Sequence, residues 1–402
     1  MKNKRIAILS PVNPFTYDSG ARIRIFEISK GVTKFFTEQG IAVDFIYLDD
    51  VNCNSYERAQ AFEQCNLISF KLNRSRLSSL FRMVVLFNSY RASKFFSREL
   101  KCFLSINKNK YDAFYVNFFD MLGHFDFKKN TFDNIVVDTH NDDYLWYESF
   151  EKKSLVYKLY GKLNKFLFLR ENKERARKLN FTINVSDNDT DSLNNRLSVR
   201  GYTAPNGIVE RYSVPKKVGT KDNISILFCA SLSVTMNVDA ITWFVKNVLP
   251  LLNAKEPKFS LKIVGRNPSN AVKALANEDT VELYANVDSI DNYYEQSDIV
   301  VLPFKLGGGS KLKLLEALSF QVPVVTSNVG LIGCENLSPF VHAEDLVPDL
   351  FAKKIFEVVD TYKQVVEVSG DAKSYIDDNF SWSSISVELA KKLNNEWRLC
   401  GS

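Results

Sequence analysis

The chain has 402 residues, of which 45% are hydrophobic and 25% charged, and its formal net charge is +5 at pH 7. These values are typical of a soluble globular protein with room for two domains. So small a positive excess does not indicate a nucleic-acid partner, and none is expected. The six cysteines are scattered, which argues against a close metal-binding or redox pair and predicts reduced thiols in the cytoplasm.

The first residues resemble a secretory signal for a short distance, because Lys2, Lys4 and Arg5 precede an apolar stretch at 6–9. That stretch is too short for a signal, and Pro11 and Pro14 prevent it from continuing, so we interpret it as a first β-strand. No other apolar run approaches the roughly 18 residues of a membrane span.

Short runs rich in β-branched residues alternate with helical patterns along the whole chain. Strands are predicted at 5–10, 42–48, 67–71, 113–116, 135–138 and 182–185, and then at 224–229, 260–264, 281–283, 299–302 and 322–326. Helices such as 237–252 fall between them. This alternation predicts parallel sheets covered on both faces by helices.

The fold class is therefore α/β, with two doubly wound Rossmann-like domains facing a cleft. A polar stretch with Pro and Gly at 214–223 predicts the join between them. The first domain is predicted at 1–213 and the second at 214–381. An amphipathic C-terminal helix at 382–399 is expected to complete the first domain.

Polar residues follow two of the predicted strands in the first half. Gly20, with Arg22 and Arg24 close behind, follows the first strand, where ligands lie in open α/β sheets. A plain glycine cap beside two solvated arginines fits the same residues equally well. His140 follows the strand 135–138, and its imidazole could bind a sugar hydroxyl or a phosphate. A loop histidine satisfied by the protein is the alternative.

An acidic stretch near residue 190 suggests a metal site. Asp187 and Asp189 have the spacing of an Asp-x-Asp motif, and the stretch also resembles a calcium loop. Ser192 stands where such a loop needs glycine, and Ser198 where it needs glutamate. We favour a helix N-cap, with Ser186 as the cap and Asp189 as its partner.

A glycine-rich segment follows the strand 299–302 and precedes a helical pattern; it consists of Gly307, Gly308, Gly309 and Ser310. Glycines let a backbone approach a ligand, and the N–H groups that open a helix attract anions. Lys311 and Lys313 stand where the helix dipole favours acids, which indicates a bound phosphate. Glu316 could accept hydrogen bonds from a ribose. A glycine-rich surface turn before an ordinary helix is the alternative interpretation.

Two further features bear on binding. The loops at 230–237 and 265–268 follow strands of the same domain, and Arg266 could meet a diphosphate in bidentate fashion. Segments 71–110 and 151–180 hold ten basic residues each, against one and three acids. Basic helices with aromatic faces can lie on anionic lipid, although aromatics in the core below a solvated charged face would give the same composition.

These residues together resemble glycosyltransferase family 4, whose members have the GT-B fold, over nearly the whole chain. The resemblance rests on 228–240, 243–244, 248–250, 264–268, 297–326 and 329–330, and more weakly on 140–141, 185–186 and 204–207. The glycine segment resembles a subgroup with a triple-glycine loop in place of the first Glu of a Glu-x7-Glu motif. In this chain Gly308 occupies that position.

The resemblance implies a retaining transfer of sugar from a nucleoside diphosphate sugar to a hydroxyl of a cell-envelope glycan or lipid-linked acceptor, with no metal or other cofactor. It implies catalytic roles for Lys311, Glu316 and His140. Donor-binding positions would be Ser231, Asn237, Gly265, Arg266, Asn286, Val287, Gly307, Gly308, Gly309, Ser310 and Leu312. Acceptor-binding positions would be Gly20, Arg24 and Asn141.

The chain also departs from the family. Besides Gly308, a lysine and arginine pair expected after the first strand of the second domain is replaced by uncharged residues at 234–237. The missing first Glu leaves a non-catalytic nucleotide-binding partner as one alternative, and a nucleotide-sugar epimerase, which shares the two-domain architecture, is another. The expected location is the cytoplasm, with peripheral contact to the anionic inner face of the cell membrane.

Overall fold

The computed structural model describes residues 4–17, 19–50, 56–72, 79, 82–83, 88–128, 132–140, 142–150, 155–209, 223–276, 278–305, 311–332 and 334–399, without the side chains of residues 56, 57, 149 and 311. The chain forms two compact units. The first comprises Met1–Asn206 and Trp382–Ser402, and the second comprises Gly207–Ser381. Of the predicted join at 214–223, all but Asn223 lies outside the described residues.

The first unit is built on a seven-stranded parallel sheet in the order β3-β2-β1-β4-β5-β6-β7. Its strands are Arg5–Ser10 (β1), Ala42–Asp49 (β2), Asn66–Lys71 (β3), Ala113–Asn117 (β4), Ile135–Asp138 (β5), Phe181–Asn184 (β6) and Gly201–Thr203 (β7). The first six were predicted to within a residue. β7 was missed, because a half-buried strand of three residues carries no recognisable pattern.

Among the described residues, seven α-helices of the first unit precede the second unit in the chain. They are Gly20–Glu38 (α1), Tyr56–Ala59 (α2), Tyr90–Lys94 (α3), Arg98–Ile106 (α4), Asp143–Ser149 (α5), Leu155–Ala176 (α6) and Asp187–Leu197 (α7). In α1 the buried Ile25, Ile28, Val32 and Phe36 recur at helical spacing. One apolar stripe therefore fixes this helix against the core.

The second unit is built on a six-stranded parallel sheet in the order β10-β9-β8-β11-β12-β13. Its strands are Asn223–Cys229 (β8), Lys258–Gly265 (β9), Val281–Ala285 (β10), Ile299–Leu302 (β11), Val324–Ser327 (β12) and His342–Glu344 (β13). Every residue of β11 and β12 is buried, as expected for parallel strands covered on both faces. The short edge strand β13 was not predicted.

Helices of the second unit are Thr235–Asn247 (α8), Leu249–Asn253 (α9), Asn270–Leu275 (α10), Asp291–Glu295 (α11), Lys311–Ser319 (α12), Pro348–Asp360 (α13) and Tyr362–Phe380 (α14). The single helix predicted at 237–252 is wrong, because the chain forms α8 and α9 with a break at Val248. Pro250 explains the break: it has no N–H to continue the first helix, yet it fits the first turn of the second.

A last helix, Trp382–Trp397 (α15), returns to the first unit and packs on α1. Its buried stripe includes Ile385, Leu389 and Leu393, and the rings of Trp397 and Phe36 lie 5.9 Å apart. The helix predicted at 382–399 is present and ends two residues earlier. Its apolar face is covered entirely by residues of the first unit's core.

Strand order reverses at one point in each sheet, between β1 and β4 and between β8 and β11. In doubly wound folds ligands bind at the carboxyl ends of the strands beside such a reversal. Among the described residues, no helix is both long and apolar enough to cross a membrane.

Candidate active site

Along the chain, the glycine-rich segment follows β11, one of the two strands at the reversal of strand order in the second unit. It follows β11, which ends at Leu302, and it precedes α12, which begins at Lys311. Residues 306–310 and the Lys311 side chain lie outside the described residues. β11, whose described part ends the strand at the carboxyl edge of the sheet, and α12 are the elements that flank the segment in the sequence.

Helix α12 is held by its apolar face. Leu314, Leu315 and Leu318 are buried in the core of the second unit, whereas Leu312 and Glu316 are half-buried. No acidic residue lies in the first turn. The positive end of the helix dipole is therefore not neutralised by an acid of its own first turn, as suits an anion site.

Lys313, which the sequence analysis placed with Lys311 in the positively charged first turn, is not among the donor-binding residues that the resemblance implied. Its ammonium lies 5.6 Å from the centroid of the Phe304 ring, just beyond β11. Burial lowers the pKa of Lys313, and the charges of Glu316 and Cys229 act in the opposite direction. Because Cys229 ends β8, Lys313 places a cation near both strand ends at the reversal.

Ser231, in the loop after β8, and Asn237, in the first turn of α8, lie together. Asn237 is buried, and its Nδ2 donates a 2.8 Å hydrogen bond to the carbonyl of Ser231. Its Oδ1 is also buried but has no hydrogen-bond partner in the part of the chain that the structure describes. A buried amide oxygen without a donor is costly, so this side chain has an acceptor to offer a ligand.

The ends of β9 and β10 bring four predicted donor residues together. A Cβ on Gly265 would lie 1.7 Å from the carbonyl oxygen of Ala230, so only glycine fits where the ends of β8 and β9 meet. Asn286 donates its N–H to the carbonyl of Gly265 at 2.8 Å and has a left-handed φ of 57°. Arg266 is exposed beside them, and Val287 packs against the core.

Gly20 is the first residue of α1 and is exposed at the carboxyl edge of the first sheet. Its N-cap residue, Ser19, makes no side-chain hydrogen bond to the first turn, and that turn holds no acid. The start of α1 thus keeps the character of an anion site. Arg22 is occupied by Asp50, at 2.6 Å. Asn141, the third predicted acceptor residue, lies outside the described residues.

Arg24 is not the solvated arginine that the sequence analysis allowed. Its side chain is 1% exposed, and its Nε lies 3.1 Å from both carboxylate oxygens of Asp138. It also donates to the Pro205 carbonyl and to Asn206. Burial opposes ionisation of Asp138, but Arg24 and a hydrogen bond from Tyr115 keep its pKa below the usual range.

His140 is buried at the end of β5 with a left-handed φ of 60°. Asn117 donates its Nδ2 to the Leu9 carbonyl, so its Oδ1 accepts from His140 Nε2–H, at 3.0 Å. The imidazole stacks on Phe118 at 4.2 Å. Its Nδ1 has no hydrogen-bond partner among the described residues. Burial lowers the pKa of His140 to about 3, which leaves a neutral ring with one open acceptor.

Arg91 joins the loops after β4 and β5 and was missed by the sequence analysis. It pairs with Asp120 at 3.0 Å and with Asp143, and its guanidinium lies 5.1 Å from the centroid of the Phe118 ring. These residues are far apart in the sequence, so no local pattern indicates the cluster.

The predicted N-cap at Ser186 is confirmed. Its Oγ accepts from the Asp189 N–H at 3.3 Å and donates to the Asp189 carboxylate at 2.7 Å, while Asp187 accepts from Thr203 at 2.6 Å. Within the described ranges, no group of three or more His, Cys, Asp and Glu side chains is placed to hold a metal ion.

Comparison with known proteins bears on the second unit most directly. The family model "Glycosyl transferases group 1" matches residues 223–361. A protein of Klebsiella pneumoniae described as an uncharacterized 44.6 kDa protein in the cps region is 23% identical over 280 residues, which cover 66% of this chain and 70% of that protein. An uncharacterized glycosyltransferase of Haemophilus influenzae is 36% identical over 90 residues, or 21% of this chain and 25% of that one.

Solved structures match the fold over both units. WaaG, a glycosyltransferase involved in lipopolysaccharide biosynthesis, aligns with a TM-score of 0.64 at 13% identity, covering 96% of this chain and 99% of that one. Anabaena Alr3699/HepE in complex with UDP and glucose aligns with a TM-score of 0.60 at 13% identity, covering 98% and 99%. The fold is therefore GT-B, with two parallel-sheet Rossmann-like domains. With the match at 223–361, the chain is a glycosyltransferase.

Proposed function

We propose that this enzyme transfers a sugar from a nucleoside diphosphate sugar to a hydroxyl of a cell-envelope glycan or lipid-linked acceptor, with retention of anomeric configuration. One observation carries the proposal: β11 and the lysine-rich start of α12, which flank the glycine segment in the sequence, lie at the strand reversal of a unit that matches glycosyl transferases group 1. The envelope acceptor is supported by similarity to a protein of the cps region and to an enzyme of lipopolysaccharide biosynthesis.

The second unit would bind the donor. The amides of 307–310, Lys311 and Arg266 would hold the diphosphate, with Lys313 adding charge from within. Glu316 would accept from the ribose, and Asn286 and Val287 would lie by the base. The buried Oδ1 of Asn237 would accept from a donor hydroxyl, which supplies the missing hydrogen bond. A nucleotide-sugar donor is supported by the structure of Alr3699/HepE, which has a similar fold and was solved in complex with UDP and glucose.

The first unit would bind the acceptor. Gly20 opens α1 at the carboxyl edge, and the Nδ1 of His140 is a neutral acceptor that can take a hydrogen bond from a sugar hydroxyl. Arg24 would act through Asp138, by fixing the loop that carries His140, because its guanidinium is enclosed by protein. Asn141 would contact the acceptor directly.

During transfer, the bond between the anomeric carbon and the diphosphate breaks, and its electron pair stays on the departing phosphate oxygen. The acceptor oxygen bonds to the anomeric carbon, and its proton passes to the departing phosphate oxygen. Stabilising the negative charge on the phosphate is the main task of the site. Backbone amides at the start of α12 and the cations Lys311, Lys313 and Arg266 are suited to that task. We propose no covalent nucleophile and no metal or other cofactor.

The test of this assignment is Lys311→Ala, with Lys71→Ala as control. A hydrogen bond to a charged group contributes about 1.5–3 kcal/mol, so the first change should lower kcat about ten- to a hundred-fold. Lys71 is exposed at the end of β3 and should not matter. Equal rates in the two folded variants would remove Lys311 from the leaving-group role. Activity should persist in a chelator, and release of free sugar without an acceptor would instead indicate an epimerase.

We also propose a cytoplasmic enzyme in peripheral contact with the anionic inner face of the cell membrane. The excess of basic residues at 151–180 supports this contact. Donor and acceptor identity can be narrowed by a thermal-shift screen of nucleotide sugars, since a ligand at one hundred times its Kd stabilises a protein by about 2.7 kcal/mol.

A further inference from the structure

The outer face of α6 carries large apolar side chains that the fold leaves in solvent. Five of them are 42–75% exposed: Leu155, Val156, Leu159, Leu163 and Phe166. At 3.6 residues per turn they fall within one arc of about 100° on the helix. Phe168, on the opposite side of the helix, and Leu167, at the border of the stripe, are 2% exposed. The helix therefore has one apolar face in the core and a second apolar stripe outside it.

Positive charge surrounds this outer stripe. Lys158, Lys162, Arg170 and Lys173 are exposed on α6. From 155 to 170 the helix contains no acidic residue. Of the next two acids along the helix, Glu171 is buried and bonded to Ser89, and Glu174 pairs with Arg177. The exposed side of the helix combines apolar surface with positive charge, as helices that lie in a lipid interface do.

Aromatic rings extend the stripe toward the candidate acceptor site. Tyr157 stacks on Phe150 with ring centroids 6.0 Å apart, and Phe150 contacts Trp146 at 4.9 Å. Trp146 and Leu145 are 43% and 40% exposed on α5, which begins at Asp143, shortly after His140. Tryptophan is a side chain suited to the boundary between water and lipid.

We propose that α6 lies in the interface of an anionic lipid bilayer, with the five apolar side chains among the acyl chains and the lysines beside lipid phosphates. A second copy of the chain is a poorer occupant, because a symmetric contact through this face would bring like charges together. An anionic lipid surface offers acyl chains to the apolar stripe and phosphates to the cations. The position of α6 has one consequence, which rests on the proposed function: the acceptor is a lipid-linked sugar presented at that surface.

The first experiment measures binding of the full chain to vesicles that contain phosphatidylglycerol and to vesicles of phosphatidylcholine alone. Binding should be strong only to the first and should weaken as salt rises. Leu159→Glu with Phe166→Glu should lower the partition coefficient at least about tenfold, because two acids replace apolar contacts and repel the lipid. Ile106→Glu is the matched control: Ile106 is 81% exposed, in the same unit and outside α6. It should change binding less than about twofold.

A second experiment measures how deeply α6 lies in the bilayer. Phe166→Trp should be quenched by lipids brominated on their acyl chains, whereas Ile106→Trp should add no quenching to that of the unmodified chain. The wild-type protein supplies the background from its own tryptophans. Quenching that is equal in the two variants would contradict an interfacial position for α6.

Two outcomes overturn the lipid surface: failure of the wild-type chain to bind phosphatidylglycerol vesicles, or equal binding by the double variant and the Ile106→Glu control. A dimer that the double variant dissociates, in a chain that ignores vesicles, would identify the face as a self-association surface instead. Nucleotide-sugar stabilisation should be the same in wild type and double variant. If no nucleotide sugar stabilises either protein while vesicle binding behaves as expected, the proposed function fails and the lipid surface stands.

Discussion

The carboxyl edges of the two sheets differ in the groups that hold them together, which are charged side chains in the first unit and backbone groups in the second. In the first unit, Arg24 forms a buried ion pair and the half-buried Arg91 forms a second, beside two non-glycine residues with left-handed φ, Phe118 and His140. In the second unit, Arg266 and Asn286 are exposed, and backbone hydrogen bonds join the strand ends. The first edge is fixed by its own side chains, whereas the second leaves amides and cations for an anion.

The largest effect should come from Arg24→Met. It would leave the fully buried Asp138 without its ion-pair partner, and removing one partner of a buried pair typically costs about 3–5 kcal/mol. The free energy of unfolding, measured by urea denaturation, should fall by that amount. Such a loss would support the view that side chains hold this edge together before any ligand arrives.

Arg200→Met is the matched control, because Arg200 pairs with Glu396 in the same unit but is 66% exposed. Exposed pairs contribute about 0–1 kcal/mol. Similar losses in the two variants would contradict the distinction between an enclosed pair and an ordinary surface pair. Arg24→Lys should recover only part of the loss, since lysine cannot reproduce the guanidinium's several directed hydrogen bonds.

A smaller effect is expected from Gly265→Ala in the second unit. The added Cβ would meet the Ala230 carbonyl at 1.7 Å, so β8 and β9 must separate at their ends. Overpacking of this kind costs about 1–3 kcal/mol. We also expect weaker stabilisation by nucleotide sugars in a thermal-shift assay, because Gly265 adjoins Arg266 and bonds to Asn286.

Gly370→Ala controls for the loss of a glycine in the same unit. Gly370 lies in α14, with the nearest side-chain atom 4.0 Å from the position of an added Cβ. Alanine favours a helix over glycine by up to about 1 kcal/mol, so stability should hold or rise. If Gly265→Ala behaves like Gly370→Ala, the strand ends are not packed as the close approach requires.

The sequence predicted the strand framework well, because buried parallel strands such as β11 are continuous apolar runs bounded by Pro and polar residues. It also predicted the Ser186 cap, whose two partners are three residues apart. Features that depend on distant residues escaped it. Arg91 meets Asp120 and Asp143 only after β4 and β5 pair, and Arg24 is enclosed only once Asp138 faces it.

Two buried histidines sharpen the comparison between structural and binding groups within the first unit. His124 is satisfied at both nitrogens: its Nδ1 donates to the Met121 carbonyl at 3.0 Å, and its Nε2 accepts from the Ser97 N–H at 2.9 Å. His140 is satisfied only at Nε2. The two rings therefore carry their proton on opposite nitrogens, and only His140 has an acceptor to spare for a substrate.

The smallest expected effect is that neither His124 nor His140 changes its protonation state near neutral pH. Burial lowers the pKa of His124 to about 4 and of His140 to about 3, so neither should gain a proton between pH 5 and 8. ¹⁵N NMR should show the Nδ1–H tautomer for His124 and the Nε2–H tautomer for His140 throughout. Titration of either ring near pH 6.5 would contradict its burial. A nucleotide sugar or acceptor that reaches His140 should shift its Nδ1 resonance and leave that of His124 unchanged.

The pH dependence of the free energy of unfolding is a less specific measure of the protonation of these histidines. A histidine whose pKa is lower in the folded chain than the unfolded value of 6.5 stabilises the fold above that pH, and this contribution is lost as pH falls toward 4 and 3. Burial raises the pKa of Asp143 from its ordinary value of 3.8 to about 7, so the fold loses stability as pH rises from the first value to the second. The two trends oppose each other between about pH 4 and 6.5, so only a signal from each ring can separate His140 from its neighbours.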